Sequence, residues 1–394
     1  MKHLSQSPRD PAFVQDPYPF YARARTAGPL IWWEDYAMPC AFDAATVQAV
    51  LRDRRFGREM PAELRTPVPD HLRAFDRVEQ HSMLELEPPR HSQLRGLVLR
   101  AFTSRRVRAL APDITASTQD LIAALPRDTA FDLIPAFCAE LPVRVIARLL
   151  GVPEAMAPRL LAWSNAMVAM YQASRTRATE EAANTAAAEF HSYLHDHIAA
   201  RRDTPADDLI SHLIAARVDG ERLSTDALIG TCVLLLNAGH EATVHSLGNA
   251  VACLLQHRTP HSALAPDTIA ATCEELLRFA PPLHMFDRIA YEDITLHGHR
   301  FTRGDRIGLM LAAAGRDPAV WEAPDRFDPT RALTPHAAFG GGIHFCVGAP
   351  LARLEMQIAL PALFAALPGM ALCDTPTFAD SYHFHKLDRL MVRA

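Results

Sequence analysis

The chain has 394 residues, 49% hydrophobic and 22% charged, enough apolar material for a large buried core in a soluble, globular protein. Its formal net charge of −5 argues against nucleic acid or a membrane surface as a partner. Seven scattered cysteines (Cys40, Cys138, Cys232, Cys253, Cys273, Cys346 and Cys373) form an odd set that suits a reducing compartment. Residues 1–30 carry neither an apolar run nor a cleavage-site pattern, so the expected location is cytoplasmic, without an anchor. Length alone suggests two or three domains. Lysine occurs only at Lys2 and Lys386, so arginine richness by itself carries little weight.

In chain order, Asp16-Pro17-Tyr18-Pro19 precedes an apolar patch, Leu30-Ile31-Trp32-Trp33, with strand propensity. From Gly57 to Pro89, five prolines (Pro61, Pro67, Pro69, Pro88 and Pro89) and little periodicity predict loop with short helical pieces. From Pro89 the pattern turns helical, and His91 and Arg95 share one face at i and i+4. Between Pro88 and Pro112 stand six arginines (Arg90, Arg95, Arg100, Arg105, Arg106 and Arg108) and no acid, which reads as a solvated basic face or as a site for anions. Residues 110–220 are Ala- and Leu-rich helices with turns at Gly151-Val152-Pro153, Asp203-Thr204-Pro205 and Asp219-Gly220, and suggest scaffold.

A long helix is predicted from a Ser224 or Thr225 cap to about Gln256, roughly 50 Å at 1.5 Å per residue. Its centre reads Asn237-Ala238-Gly239-His240-Glu241-Ala242-Thr243. Gly239 weakens a helix interior by roughly 1 kcal/mol relative to Ala, which points to a packing reason. Glu241 in an apolar stretch needs either a neutralising partner or a part in proton transfer. The next helix runs from near Asp267 to before Pro281-Pro282, with Glu275 and Arg278 paired on one face. Strands are expected over Ile294–Phe301 and Ile307–Leu311, around His297-Gly298 and Arg303-Gly304-Asp305 turns.

The stretch Phe339 to Glu355 organises the rest. Gly340, Gly341, Gly342 and Gly348 free the backbone for positive φ and for close approach to something flat or large. Pro350 opens a helix continued by Leu351, Leu354, Ile358 and Phe364. Cys346 thus lies on a loop ahead of a helix N-terminus, where amide N–H groups and the helix dipole favour a thiolate. A single thiolate does not suit tetrahedral zinc; it suits a metal that brings most of its own ligands.

Phe-Gly-x-Gly-x-His-x-Cys-x-Gly (Phe339 to Gly348) resembles the haem-ligand loop of the cytochrome P450 haem-thiolate monooxygenases, and the likeness extends over nearly the whole chain. It implies a mainly α protein: one large helical domain over residues 1–394 with a small β-rich lobe, and haem between the long central helix and the Cys loop. The implied cofactor is haem b (iron protoporphyrin IX), with Cys346 as the iron ligand and Phe339 framing it. His91, Arg95, Arg288 and His344 are implied partners of the haem propionates. Ala238 and Gly239 are implied to let the macrocycle and dioxygen press against the helix. Glu241 matches the acid of the family's oxygen-activating acid–alcohol pair; the alcohol position holds Ala242, with Thr243 one place later. Glu275, Arg278 and Arg326 match the family's Glu-Arg-Arg triad, whereas His284, Met285 and Phe286, with Tyr382-His383-Phe384-His385, fall where the family lines its substrate pocket.

The implied reaction inserts one atom of dioxygen into a small apolar substrate, the Cys346 thiolate favouring O–O cleavage. The chain has no dinucleotide-binding Gly-x-Gly-x-x-Gly unit and no Fe–S cysteine set. Electrons must therefore come from a ferredoxin and ferredoxin reductase or a similar donor, docking on the arginine-rich face of a monomer. Ala242 keeps a peroxide-driven or oxidative-coupling enzyme open as an alternative, and a haem-thiolate sensor is the non-enzymatic one.

Overall fold

The computed structural model describes residues 1–172, 175–218, 221–381 and 384–394. The helices that bear on the site are α1 (Tyr18–Ala27), α2 (Arg90–Ala101), α3 (Ala111–Ala124), α4 (Glu140–Leu150), α5 (Ala157–Val168), α6 (Arg177–Asp203), α7 (Thr225–Gln256), α8 (Ile269–Phe279) and α9 (Ala349–Ala366). The principal sheet holds β1 (Lys2–Leu4), β2 (Ile31–Trp33), β3 (Met38–Ala41), β4 (Phe56–Gly57), β5 (Met285–Ala290) and β6 (Arg306–Met310), in the order β1-β2-β3-β6-β5-β4. Sequence-distant strands therefore meet: β6 runs parallel to β3 and antiparallel to β5.

Helix α7 is the axis. Ser224 caps it by accepting a hydrogen bond from the Ala227 amide, and 32 residues follow without a break. It is long and apolar enough to cross a bilayer, yet most of its surface is buried by its neighbours, as in the core helix of a globular protein. It packs on α4, α5 and α9, and these helices share one hydrophobic core with α3 and α6. Smaller cores fill the β-rich lobe, where Val47, Val50 and Leu51 meet Ile307 and Leu309, and Phe13, Phe20, Tyr21 and Trp33 cluster.

The segment between β4 and α2 is loop with two single-turn 3-10 pieces and one short helix, Arg73–Glu79, as its prolines predict. The span Ile294–Phe301 is a tight hairpin, Ile294–Leu296 with His299–Phe301, turning on His297 and Gly298 at positive φ. The Asp219-Gly220 turn lies outside the described residues.

The triad needs a correction. Arg278 grips Glu275 through two bonds of 2.7 Å, in full burial. The second arginine on Glu275 is Arg331, at 3.2 Å, and not Arg326. The Arg326 side chain points outward, 71% exposed, and pairs with Asp328, while its carbonyl oxygen accepts from Arg278 and Arg331. Spacing alone does not separate two arginines on one meander; the direction of the side chain does.

Candidate functional site

The Cys loop starts at Phe339 and ends where α9 begins at Ala349, with Pro350 in the first turn. Only two of its glycines have positive φ, Gly340 at 71° and Gly342 at 66°. A Cβ on Gly342 would also lie 2.1 Å from the Leu51 carbonyl oxygen, so backbone meets backbone there. Gly341 is extended and Gly348 has ordinary helical dihedrals, so neither needs the left-handed freedom expected of it.

Within this frame the Cys346 amide donates to the Phe339 carbonyl at 3.0 Å, and the amides of Gly348 and Ala349 point at the thiol. Burial nevertheless pushes the thiol pKa up, against the pull of those amides, Arg95 and Arg353. The expectation that the loop alone yields a thiolate is thus corrected: desolvation wins until a cation binds, whereupon a coordinating thiol is deprotonated outright. Cys346 is exposed although protein desolvates it, the signature of a thiol on the wall of a concavity. The Phe339 ring lies under Arg353, 4.5 Å from the guanidinium.

Helix α7 has a matching relief. Among its buried neighbours, Ala238 is exposed and Leu234 and Ala242 are half-buried, at i−4, i and i+4 on one face. Gly239 answers to a different neighbour. A Cβ there would lie 3.1 Å from Ile146 Cδ1, so this glycine lets α7 close on α4.

Next to the loop the fold gathers cations from four segments. His91 of α2 is buried, its Nδ1 has no hydrogen-bond partner among the described residues, and its ring lies 4.4 Å from His344. Burial, then His344 and Arg95, push His91 down to about 4. His344 Nε2 bonds Glu87 at 2.8 Å, and Arg95 donates to the Phe345 carbonyl at 2.6 Å. Arg288, in the middle of β5, is buried and donates to the Asp287 carbonyl at 2.8 Å. Arg58, which the sequence did not single out, is buried beside it and bonds Glu85 at 2.6 Å. The donor set therefore fits a flat iron macrocycle with acidic edge groups: a lone exposed thiol, small side chains on an open face of α7, and arginines and histidines gathered beside the thiol loop.

On α7 itself, Glu241 is 6% exposed. Its carboxylate accepts from His245 Nε2 at 3.1 Å, with His240 Nε2 at 3.6 Å and Lys386 Nζ at 3.8 Å. Burial alone would raise its pKa; His245, His240 and Lys386 outweigh that and lower it to about 2. Thr243 is buried and its hydroxyl donates to the Gly239 carbonyl at 3.1 Å, so it is an acceptor only. Glu241 lines a narrow cleft with Lys386, Tyr171, Ser381 and Phe384.

The expected pocket residues divide. Phe384 lines this cleft, whereas Tyr382 and His383 lie outside the described residues. His284 bonds the Tyr21 hydroxyl at 2.9 Å and His385 the Val14 carbonyl at 3.0 Å, so both pack the β-rich lobe. Met285 is core, and Phe286 lies beneath Arg58 and Arg288. Of the basic helix face, Arg100 and Arg105 are exposed, but Arg106 is drawn to Asp207 and His212.

The cytochrome P450 family model matches residues 268–367, the stretch that holds Glu275, Arg278, Arg288 and the Cys loop. The vitamin D(3) 25-hydroxylase of Pseudonocardia autotrophica is 37% identical, over 96% of this chain and 94% of its own. The chain belongs to the cytochrome P450 family. The P450 monooxygenase PikC of Streptomyces venezuelae is also 37% identical, over 92% of this chain and 87% of its own. Among solved structures, P450BioI in complex with a hexadec-9Z-enoic acid-ligated acyl carrier protein superposes with a TM-score of 0.91 at 33% identity, covering 97% of this chain and 99% of that one. This protein is therefore a bacterial-type P450 monooxygenase with a haem-iron cofactor, in a family that uses a redox partner, dioxygen and an organic substrate. The mainly helical fold with its small β-rich region is that of its structural neighbours.

Sequence reasoning missed Arg58, His245, Lys386 and Arg331. Two signals were present: His245 stands four residues after Glu241, and Lys386 is one of only two lysines. Arg58 and Arg331 had none, because their partners are distant in sequence.

Proposed function

We propose that the protein inserts one atom of dioxygen into a small, mostly apolar organic molecule, acting as a cytoplasmic monomer of one domain over residues 1–394. The observation that carries this reading is Cys346, exposed on the wall of a concavity, aimed at by two amides and flanked by buried cations. Bound haem b would supply the oxidising chemistry, and Cys346 would hold its iron through the thiolate. His91, Arg95, Arg288 and His344 hold its acidic edge, Phe339 frames the thiolate loop, and Ala238 leaves room on the opposite wall. The substrate class is supported by the relatives' own molecules, vitamin D(3) and a carrier-bound hexadecenoic acid, both largely apolar.

Glu241 carries protons in this reading. Its carboxylate, held ionised by His245, His240 and Lys386, takes a proton from the cleft it shares with Lys386 and passes it to the Ala242 side of the helix. Thr243 assists only as an acceptor, since its own proton is bound to the Gly239 carbonyl. Electrons come from a ferredoxin and its reductase, docking on exposed Arg100 and Arg105. Ala242 and the bound Thr243 favour a second reading, a peroxide-driven reaction, which would proceed without any electron donor.

The test is spectroscopic first. The reduced carbon monoxide complex should show the red-shifted Soret band of thiolate ligation, and Cys346→Ala should lose it; a variant that keeps the band overturns the assignment. Dioxygen uptake with ferredoxin, reductase and an apolar substrate panel, against peroxide alone, separates the two readings.

A further inference from the structure

We infer that Arg58 is a further binding residue for the acidic edge of the haem, acting across the sheet from Arg288; this rests on the haem reading above. The register places it. Gly57 of β4 faces Ile289 of β5, and Phe56 faces Ala290, so the next step of this antiparallel pair sets Arg58 opposite Arg288. Residues directly opposite share a face of the sheet. Both guanidinium groups accordingly lie over the same Phe286 ring, 5.1 Å and 6.0 Å from its centre.

The hydrogen-bonding capacity of this pair is not used up locally. The Arg58 side chain is 9% exposed, and its single bonded partner is Glu85, through Nη2. Its Nε is buried with no hydrogen-bond partner among the described residues. A guanidinium presents five N–H donors in a planar fork that matches a carboxylate two at a time, so most of this fork is unused. The neighbouring acids are otherwise engaged: Glu87 accepts from His344 and from the Arg58 amide, and Asp287 binds Arg306. Arg288 donates to the Asp287 carbonyl, and burial and Arg58 both act against its charge. Two guanidinium groups over one ring, one bonded to Glu85 and the other to a backbone carbonyl, leave donors for another anion between them. A haem propionate is such a group, and Glu85 keeps the fork of Arg58 aligned for it.

Haem release from the full-length holoprotein to an excess of a haem-scavenging protein, followed by Soret absorbance, tests this. Arg58→Met should release haem about tenfold faster, the loss of one charge-assisted hydrogen bond. Arg58→Lys should fall between Met and wild type, because a point charge replaces the fork but not its geometry. Glu85→Gln should leave release within a factor of about two, since the cation remains. Release unchanged in Arg58→Met and Arg58→Lys overturns the role and leaves Arg58 a partner of Glu85 alone. Equal acceleration in Glu85→Gln and Arg58→Lys overturns it as well, since disruption of the loop then explains both. A wild-type protein without a thiolate-type Soret band overturns the haem reading beneath it, a separate failure visible before any variant is made.

Discussion

The Cys loop and helix α7 are built in opposite ways. The Cys loop is made by backbone: positive φ at Gly340 and Gly342, amides aimed at one sulfur, and a helix start just beyond. Helix α7 is regular, and its character comes from side chains that other segments bring to it, Lys386 above all. A local frame tolerates almost no substitution within itself, whereas an assembled one is tuned piece by piece. Desolvation acts on both, and the outcome differs: the thiol is pushed up because its opponents are neutral amides and two peripheral arginines, and the Glu241 carboxyl is pushed down because hydrogen-bonded His245, with His240 and Lys386, faces it.

That contrast can be broken first at Gly342. Adding a Cβ combines a positive φ with a collision against the Leu51 carbonyl, so Gly342→Ala should destabilise the protein by about 3 to 5 kcal/mol and abolish the thiolate Soret band. A denaturant midpoint unchanged from wild type would show that the frame is softer than its geometry. Next in size is the buried acid of the meander. Arg331→Ala leaves Glu275 short of one of its two cations and should cost about 3 kcal/mol, whereas Arg326→Ala, on an exposed side chain, should cost less than about 0.5 kcal/mol by the same urea titration.

The helix side is sharpened by Glu241→Gln. Product formed per electron pair should fall by about a hundredfold, roughly 2.7 kcal/mol, with substrate-induced absorbance shifts intact. His245→Phe, which removes the direct hydrogen bond, should cost about tenfold. Normal turnover in both variants would make the carboxylate structural. The smallest effect is on pH dependence. Glu241 has its pKa lowered from 4.5 to about 2, so the folded state binds this proton more weakly than the unfolded chain. The resulting stabilisation is fully present above 4.5 and is lost as the pH falls towards 2. Glu241→Gln should therefore flatten the decline in thermal midpoint across that acid window and leave its slope near neutrality unchanged.

Legibility followed the same divide. The loop, the extent of α7 and the His91–Arg95 face could be read from residues near one another in sequence, where spacing fixes direction. Gly239 was read as making room for a ligand, and its closeness to Ile146 was not foreseen, because periodicity says that a helix position is crowded and not by whom. Arg326 was taken for Arg331 for a related reason: both fall on one irregular meander, where no period assigns a face. Arg58 came to light only through strand register, and Lys386 only through tertiary packing of the C-terminal segment on α7.

The cation cluster also has an order of synthesis. Arg58, His91 and Arg95 leave the ribosome long before Arg288, His344 and Cys346, although all six meet at one place in the folded chain. A nascent chain thus offers half of a cationic edge and no sulfur until translation has passed the glycine loop. Phe384 and Lys386, which close the cleft at Glu241, arrive later still. Under the proposed assignment, capture of iron by Cys346 would wait for the nearly finished polypeptide, since a stalled or truncated product that ends before residue 346 lacks that thiol.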